Sequence, residues 1–316
     1  MKKILVVGSV SFDVIFGVYG DIRKEIPIKD GQINDVNLMF TAKNKNQYLG
    51  GTGGNIAYGL GLLGSNPILF SVVGKDFTQA NRNYLMNNNV NLKLIEKEGE
   101  HTAIFYGISD EHYQQIGIWQ PNAYGDWIEK VKLTDTISQK DLSEFDFAIF
   151  SPGTGLSIKN HLLELRRFNK NVKIIFDPSQ VLSIFFDKEL LIECLKLSNY
   201  FIGNETEITQ LNTIFGLKKN DILNYGIEAI IETLGEKGSV VYTKNKKINI
   251  DIFKPKRIVE TTGAGDAFRS GFIYGLSINK SIENACKIGA FMGAKCVEEL
   301  SGQIYKIDKN EMQKLN

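Results

Sequence analysis

Cysteine and histidine are scarce in this chain and net charge is almost absent, and each shortage closes off a class of chemistry. Cys194, Cys286 and Cys296 are odd in number and show no C-x-x-C spacing, so neither a disulfide framework nor a zinc site is indicated. His101, His112 and His161 are scattered without ligand spacing, and no G-x-S-x-G stretch is present to build a hydrolase elbow. With 37 basic residues against 36 acidic ones, the net charge is +1. That argues against a nucleic-acid or membrane surface held by bulk electrostatics, so an anionic ligand must be met locally. The apolar run after Met1-Lys2-Lys3 breaks at Gly8 and Ser9 and soon meets Asp13. It is too short for the core of a signal peptide, and the expected location is cytoplasmic. No Gly-x-x-x-x-Gly-Lys-Ser/Thr occurs, which excludes a P-loop nucleotide site.

What is present is glycine at chemically pointed places. Glu260-Thr261-Thr262-Gly263-Ala264-Gly265-Asp266-Ala267-Phe268 joins a small-residue stretch to a carboxylate one turn into an amphipathic helix. The N–H groups of Gly263, Ala264 and Gly265 can crowd a phosphate at a helix N-terminus, where unpaired donors and the dipole favour negative charge. Asp266 would then face an anion, and the natural task for it is accepting a proton from an attacking hydroxyl. The plainer alternative is a glycine turn with an Asp cap. Gly50-Gly51-Thr52-Gly53-Gly54-Asn55 leads into an apolar helix closed by Gly64. It reads as a flexible run where backbone approaches a small ligand, with Asn55 offering both a donor and an acceptor to a sugar hydroxyl pair. Gly59-Leu60-Gly61-Leu62-Leu63-Gly64 fits G-x-G-x-x-G but sits at a helix end and reads as helix packing.

The 316 residues, 43% of them hydrophobic, suit one large α/β domain with a small appendage. Strands are predicted at Ile4–Val7, Ile68–Val73, Phe147–Phe150, Lys173–Phe176, Tyr200–Gly203, Ala229–Thr233 and Val240–Tyr242. Helices are predicted over 54–63, 78–88, 158–169, 187–197, 205–213, 219–225, 264–276, 282–298 and 308–315. Alternation of this kind predicts a three-layer α/β/α sandwich around a mainly parallel sheet. Two segments, roughly 14–49 and 101–120, alternate at a strand period instead. They read as a small β-sheet lid, or alternatively as a sheet extension or subunit interface. A dimer through such a face is a further expectation.

In their order along the chain these motifs resemble the signatures of the ribokinase-like, or PfkB, family of carbohydrate and nucleoside kinases, over nearly the whole length. The resemblance implies a single kinase domain over 1–316 with a β-sheet lid above the sugar. It gives Asp13, in Gly8-Ser9-Val10-Ser11-Phe12-Asp13, a substrate-binding role beside Gly51 and Asn55. Asn204-Glu205-Thr206-Glu207 is similar to the family's Asn-x-x-Glu motif, linked to magnesium and the phosphates, with Glu207 acting on Mg²⁺ through water. It is equally a capping-box signal. Thr233-Leu234-Gly235-Glu236-Lys237-Gly238 is similar to the nucleotide-binding turn, making Thr233, Gly235 and Gly238 nucleotide contacts. The family's commoner motif begins Asp-Thr-Thr-Gly-Ala-Gly-Asp. Glu260 takes that leading place here, and its longer side chain puts potassium activation in doubt.

The resulting expectation is a kinase dependent on ATP and Mg²⁺ that phosphorylates the 5′-hydroxyl of a nucleoside, adenosine first. Asp266 is its general base, and the Gly263–Asp266 helix start its anion hole. The stretches Asp110–Ile116, Phe176–Gln180 and Asp266–Phe272 resemble those of prokaryotic nucleoside and adenosine kinases. Phe12, Phe16, Phe40, Trp119 and Tyr124 are candidates for a base shelf or for lid core. Gln115 either reads a base edge or bonds the lid backbone, and Arg269 either touches a phosphate or packs at the surface. A sugar kinase of the ribokinase or fructokinase type is the alternative, with Lys43 and Lys45 available for a sugar phosphate. A non-catalytic ligand-binding protein is the third reading.

Overall fold

The computed structural model describes residues 2–29, 32–33, 37–112, 114–308 and 311. In chain order the first strands are β1 (Ile4–Val7), β2 (Ser11–Val18), β3 (Ile28–Lys29), β4 (Gln32–Ile33) and β5 (Ala42–Gly50). There follow β6 (Ile68–Gly74), β7 (Asn91–Lys97), β8 (Ala103–Ser109), β9 (Gln115–Gln120) and β10 (Phe147–Phe150). The last are β11 (Lys173–Phe176), β12 (Tyr200–Asn204), β13 (Ala229–Thr233), β14 (Ser239–Tyr242) and β15 (Lys247–Ile250). Nine of them form one sheet in the order β15-β14-β13-β12-β11-β10-β1-β6-β7, parallel from β13 through to β7.

Alternation within these strands decides the layers. Leu5 and Val7 of β1, Phe70 and Val72 of β6, and Ala148 and Phe150 of β10 enter one buried cluster. Ile4 and Val6, Leu69 and Val73, and Phe147 and Ile149 enter a second on the opposite face. A strand buried on both faces needs cover on both. After α1 (Ile22–Glu25), helices α2 (Thr52–Leu62) and α3 (Gln79–Asn87) cover the second face. The first face is covered by α4 (Asn122–Trp127), α5 (Gln139–Ser143), α6 (Gly155–Phe168), α7 (Leu182–Phe185), α8 (Lys188–Lys196), α9 (Glu205–Thr213) and α10 (Lys219–Asn224). Then α11 (Ala264–Ser277) and α12 (Ile282–Cys296) return to the second. Each Val, Leu, Ile or Phe side chain so buried stabilises the fold by roughly 1.5–3 kcal/mol.

Sequence and structure differ at the sheet edges. β7 and β15 are outermost strands half open to water, and Lys, Asn and Glu interrupt the apolar run that marks the interior strands. The short helices α4 and α5 fell below the length at which periodicity speaks. The helix expected over 308–315 lies mostly outside the described residues. Among the described residues no helix is long and apolar enough to cross a membrane.

Four further strands form a second sheet in the order β5-β2-β8-β9. β2 begins at Ser11, ahead of the predicted segment, so Asp13 lies on it. The β8–β9 turn is closed by Asp110, whose carboxylate accepts from the amides of His112 and Gln114 at 2.8 and 3.0 Å, and from Ile22 of α1 at 2.8 Å.

The 50–54 glycine run is not a flexible loop. Gly51 has φ +84, and Gly53 lies in the first turn of α2 against the exit of β1, where a Cβ would come 2.6 Å from the carbonyl carbon of Gly8. Backbone on both sides leaves no room to yield. Gly53→Ala is therefore expected to lose about 1–3 kcal/mol despite the better helix propensity of alanine. Urea denaturation that shows unchanged or increased stability would contradict this packing.

Candidate active site

The order of the large sheet reverses beside β1, whose neighbours are β6 on one side and β10 on the other. In an open parallel sheet the crevice beyond the carboxyl ends of the strands at such a point is where ligands are held. Asp177 follows β11, Asn204 ends β12 and Thr233 ends β13, all at this edge. The starts of α2 and α11 meet here too.

Gly263 caps α11 in the left-handed conformation with φ +84. The amide of Ala264 is taken by the Thr261 carbonyl at 3.2 Å. The amides of Gly265 and Asp266 have no partner among the described residues, so two donors at the positive end of a 14-residue helix stay open. The loop before them is held by Glu260, which is buried and accepts from the amides of Thr261 and Thr262 at 2.8 and 3.2 Å and from the Thr262 hydroxyl at 3.1 Å.

Asp266 is half-buried and accepts from Nδ2 of Asn55 at 2.8 Å. Protein crowds its carboxyl, and this burial pushes it up to about 7 against the opposing pull of Arg269. Asp13 is buried on β2, with Oδ1 accepting from the Ser11 hydroxyl at 2.9 Å. Burial pushes it up to about 6, and its charge is felt at Asp266. Two carboxyls thus titrate near neutrality beside an open pair of amides, an arrangement suited to proton acceptance next to an anion.

Arg269 does not pack at the surface, and its Nη1 lies against Gly265, 2.8 Å from where a Cβ would stand. It is buried, with Nε 2.5 Å from Asp177 Oδ2 and Nη2 2.7 Å from Oδ1. Burial works against its charge, but the Asp177 carboxylate outweighs that and holds the guanidinium above its usual value. Asn204 and Glu207 form a reciprocal cap on α9. The Asn204 amide and Nδ2 donate to the two oxygens of Glu207 at 2.8 and 2.9 Å, and the Glu207 amide donates to Asn204 Oδ1 at 2.8 Å. Glu207 is buried, which pushes its carboxyl up. Thr233 pairs in register with Asn204, and the turn after it has positive φ at Gly235 and Gly238.

The sequence pattern described as "pfkB family carbohydrate kinase" matches residues 1–309. The chain belongs to that family. As a pfkB kinase it is a phosphotransferase with an alcohol group as acceptor, and membership implies ATP binding. The nucleoside kinase of Methanocaldococcus jannaschii is 30% identical over 302 residues, covering 94% of this pfkB kinase and 91% of that protein. The crystal structure of that archaeal nucleoside kinase, a ribokinase-family member, matches with a TM-score of 0.83 at 27% identity, covering 100% of this chain and 98% of that one. The nucleoside kinase of Burkholderia thailandensis, solved in complex with inosine, matches with a TM-score of 0.84 at 25% identity, covering 99% and 96%.

The structure of the pfkB kinase brings Asp13, Gly51, Asn55, Gly263, Ala264, Gly265 and Asp266 to one end of the sheet, with Asn204, Glu207 and Thr233 at the strand ends beside them. Gln115 of β9 donates not to its own sheet but across the cleft, to the Thr262 hydroxyl at 2.9 Å. Tyr124 is core: its ring is buried and its hydroxyl donates to the Pro152 carbonyl at 2.7 Å. Phe12 turns away from Asp13 and packs on Phe77 in the large-sheet core. The sequence reading missed Asp177 as a partner for Arg269, 92 residues apart, and Gln303, whose amide reaches Asn55.

Removing one member of a buried ion pair strands the other. Asp177→Ala is expected to lose about 3–5 kcal/mol, and pairing Asp177→Leu with Arg269→Met to recover much of it. Thermal denaturation of the single and double variants checks this. A single variant as stable as the parent would show that the pair is not held.

Proposed function

We propose that this pfkB kinase transfers the γ-phosphoryl group of ATP to the 5′-hydroxyl of a nucleoside, adenosine first, with Asp266 as the general base. The observation that carries the reading is the carboxyl of Asp266 beside the open amides of Gly265 and Asp266 at one helix start. The nucleoside class is supported by the likeness to two nucleoside kinases over almost the full chain, one of them in complex with inosine.

In this mechanism Asp13 and Asn55 hold the ribose hydroxyls. Asp266 takes the proton of the 5′-hydroxyl, whose oxygen forms the new bond to phosphorus. The bond from phosphorus to the β–γ bridging oxygen breaks, and ADP leaves with that oxygen. The amides at the start of α11 stabilise the charge that gathers on the transferred group. ATP extends over Asn204, Thr233 and the Gly235–Gly238 turn.

The residues fit a hydrated Mg²⁺ rather than a protein cage. No cluster of three or more candidate metal ligands occurs among the described residues, and both Glu207 oxygens already accept from Asn204. Asn204 and Glu207 would hold the ion through water, where it neutralises phosphate charge. With the Glu260 carboxylate already tied into its own loop, we infer that this loop is ordered without potassium. Equal turnover in potassium and tetramethylammonium salts is the expected result.

The second sheet acts as the lid in this reading, and its register supplies a base shelf. Asp13 pairs with Tyr48 and with Phe105, and Phe105 pairs with Trp119, so the four side chains share one face. The Phe105 ring lies over Gly117, where a Cβ would come 2.6 Å from it. A flat aromatic surface beside the ribose carboxylate suits a purine. Of the two lysines available to the sugar-phosphate alternative, Lys43 pairs with Glu111 and lies 4.7 Å over the Tyr19 ring, whereas Lys45 is exposed.

ADP release should be measured with adenosine, inosine, guanosine, cytidine, ribose, fructose and fructose 6-phosphate. Turnover with a sugar alone would overturn the nucleoside reading. Asp266→Asn is expected to lower kcat by about 10²–10⁴ with the fold intact, and near-parental turnover would remove Asp266 as the base. Because a protonated carboxyl accepts no proton, kcat/KM should rise with pH through about 7 and fall away below it. Phe105→Ala is expected to raise the nucleoside KM about tenfold with kcat little changed, the loss of one stacking contact. An unchanged KM would move the base elsewhere.

A further inference from the structure

The segment after α12 has no task in the mechanism above, yet the structure fastens Asp266 through it. Gln303 is 1% exposed. Its Nε2 donates to the Gly50 carbonyl at 3.1 Å and to Asn55 Oδ1 at 3.0 Å. Asn55, itself buried, donates from Nδ2 to Asp266 Oδ2 at 2.8 Å.

A carboxamide has two ends of opposite character, one accepting and one donating, and nearly the same shape either way. A peptide carbonyl can only accept. Gly50 therefore decides which end of Gln303 faces inward, and Gln303 decides which end of Asn55 faces it. What remains for Asp266 is the Asn55 NH₂ group. Oε1 of Gln303 is buried with no hydrogen-bond partner, so nothing at the far end of the side chain sets its orientation. The two acceptors set it, at the cost of an orphaned oxygen. The segment around it is shaped for the purpose. A Cβ at Gly302 would come 3.0 Å from Asn55 Cγ and Nδ2, in the space where that amide lies. The Tyr84 hydroxyl donates to the Gln303 carbonyl, and the Tyr58 hydroxyl donates to the Tyr305 carbonyl at 2.9 Å.

We propose that Gln303 is a positioning residue that sets the polarity of the Asn55 amide, so that Asp266 meets a donor and never an acceptor. The proposal rests on the reading of Asp266 as the base. A donor aimed at a carboxylate favours its ionised, proton-accepting form, whereas an amide oxygen in the same place repels it and leaves the carboxyl protonated. The other groups that act on Asp266 are Arg269 on its own helix, Asp177 beyond β11 and Asp13 on β2, while Cys296 at the end of α12 and Tyr305 face it and feel its charge. Altering Gln303 alone removes none of these groups. Gly50 ends a strand of the second sheet, so the relay also joins that sheet to the base.

Two variants separate this role from packing. In Gln303→Glu the new carboxylate can donate to nothing, and Asn55 must turn its NH₂ toward it, presenting Oδ1 to Asp266. Gln303→Met keeps the volume and removes the amide. The pH dependence of kcat/KM should show the acidic limb moving upward by about one pH unit in Gln303→Glu, with about a tenfold loss at pH 7 largely regained at higher pH. In an Asn55→Leu background, Gln303→Met should add nothing further, because its effect passes through Asn55. A uniform loss at every pH with an unmoved limb, or effects that simply add in the double variant, would overturn the relay. The Met variant carries the test should the Glu variant not fold, as read by its melting temperature. If Asp266→Asn keeps turnover, the base reading falls first. If that variant is inactive while the Gln303 variants leave the limb in place, the relay alone is wrong.

Discussion

A carboxyl group cannot be buried and ionised without something offsetting the lost hydration, and the candidate site is arranged around that constraint at Asp266. The helix start beside it is open to an anion, which would repel a second negative charge. Protein crowding has already moved its proton affinity to about 7. Against this stand the Asn55 hydrogen bond and the Arg269 guanidinium, both of which favour the charged form. The balance leaves the group close to half-ionised at neutral pH, where a base is most effective in the proposed reaction. The same balance works against the fold. A carboxyl whose value rises from 3.8 to about 7 on folding binds more protons in the native than in the unfolded chain over that window. Its contribution is therefore complete below pH 3.8 and is lost as pH climbs through 7. Asp13, raised to about 6, acts in the same direction, so the site gives up stability at the pH where it would operate.

Rigid polar pairs stand around the site. Arg269 is clamped to Asp177 in a buried pair between α11 and the end of β11, and Glu207 is locked to Asn204 at the start of α9. The Arg269–Asp177 pair adds little net stability, since desolvation of a buried ion pair consumes most of its Coulombic gain. The value of both pairs is directional. A guanidinium that donates from Nη2 to one buried carboxylate keeps its charge near Asp266, and the cap on α9 holds the buried Glu207 carboxylate on Asn204.

Local pattern made much of this architecture legible. The interior strands announce themselves by apolar runs that alternate between the two clusters, and β10, β11 and β13 fall on the predicted residues. The start of α11 was readable because Gly263, Ala264 and Gly265 bring nothing larger than a methyl group before Asp266. What local pattern could not give is which face of a strand meets the cleft. On β2 a slip of one residue exchanges Phe12 for Asp13, and the register with β5 and β8, which no local signal states, is what groups Asp13 with Tyr48 and Phe105. Contacts between distant segments were equally silent. Nothing near Asp177 marks it for Arg269, and nothing in Ser301-Gly302-Gln303 hints that the amide lies beside Asn55, 248 residues away in the chain.

The glycines connect these observations. Gly53 allows α2 to start against the exit of β1, which brings Asn55 within reach of α11, and the lack of a side chain at Gly302 lets the closing segment lie flat on the Asn55 amide. Gly50 then offers its carbonyl to Gln303 while standing beside Asp13, whose carboxyl fills the space a Cβ would need. Three segments far apart in sequence meet without side chains between them, so main chain and amide groups touch directly and few rotamers are left to choose. Orientation at Asp266 thus depends less on the strength of any one hydrogen bond than on the absence of room for an alternative. This is why its nearest donor comes from a buried asparagine rather than from a longer, freer cation.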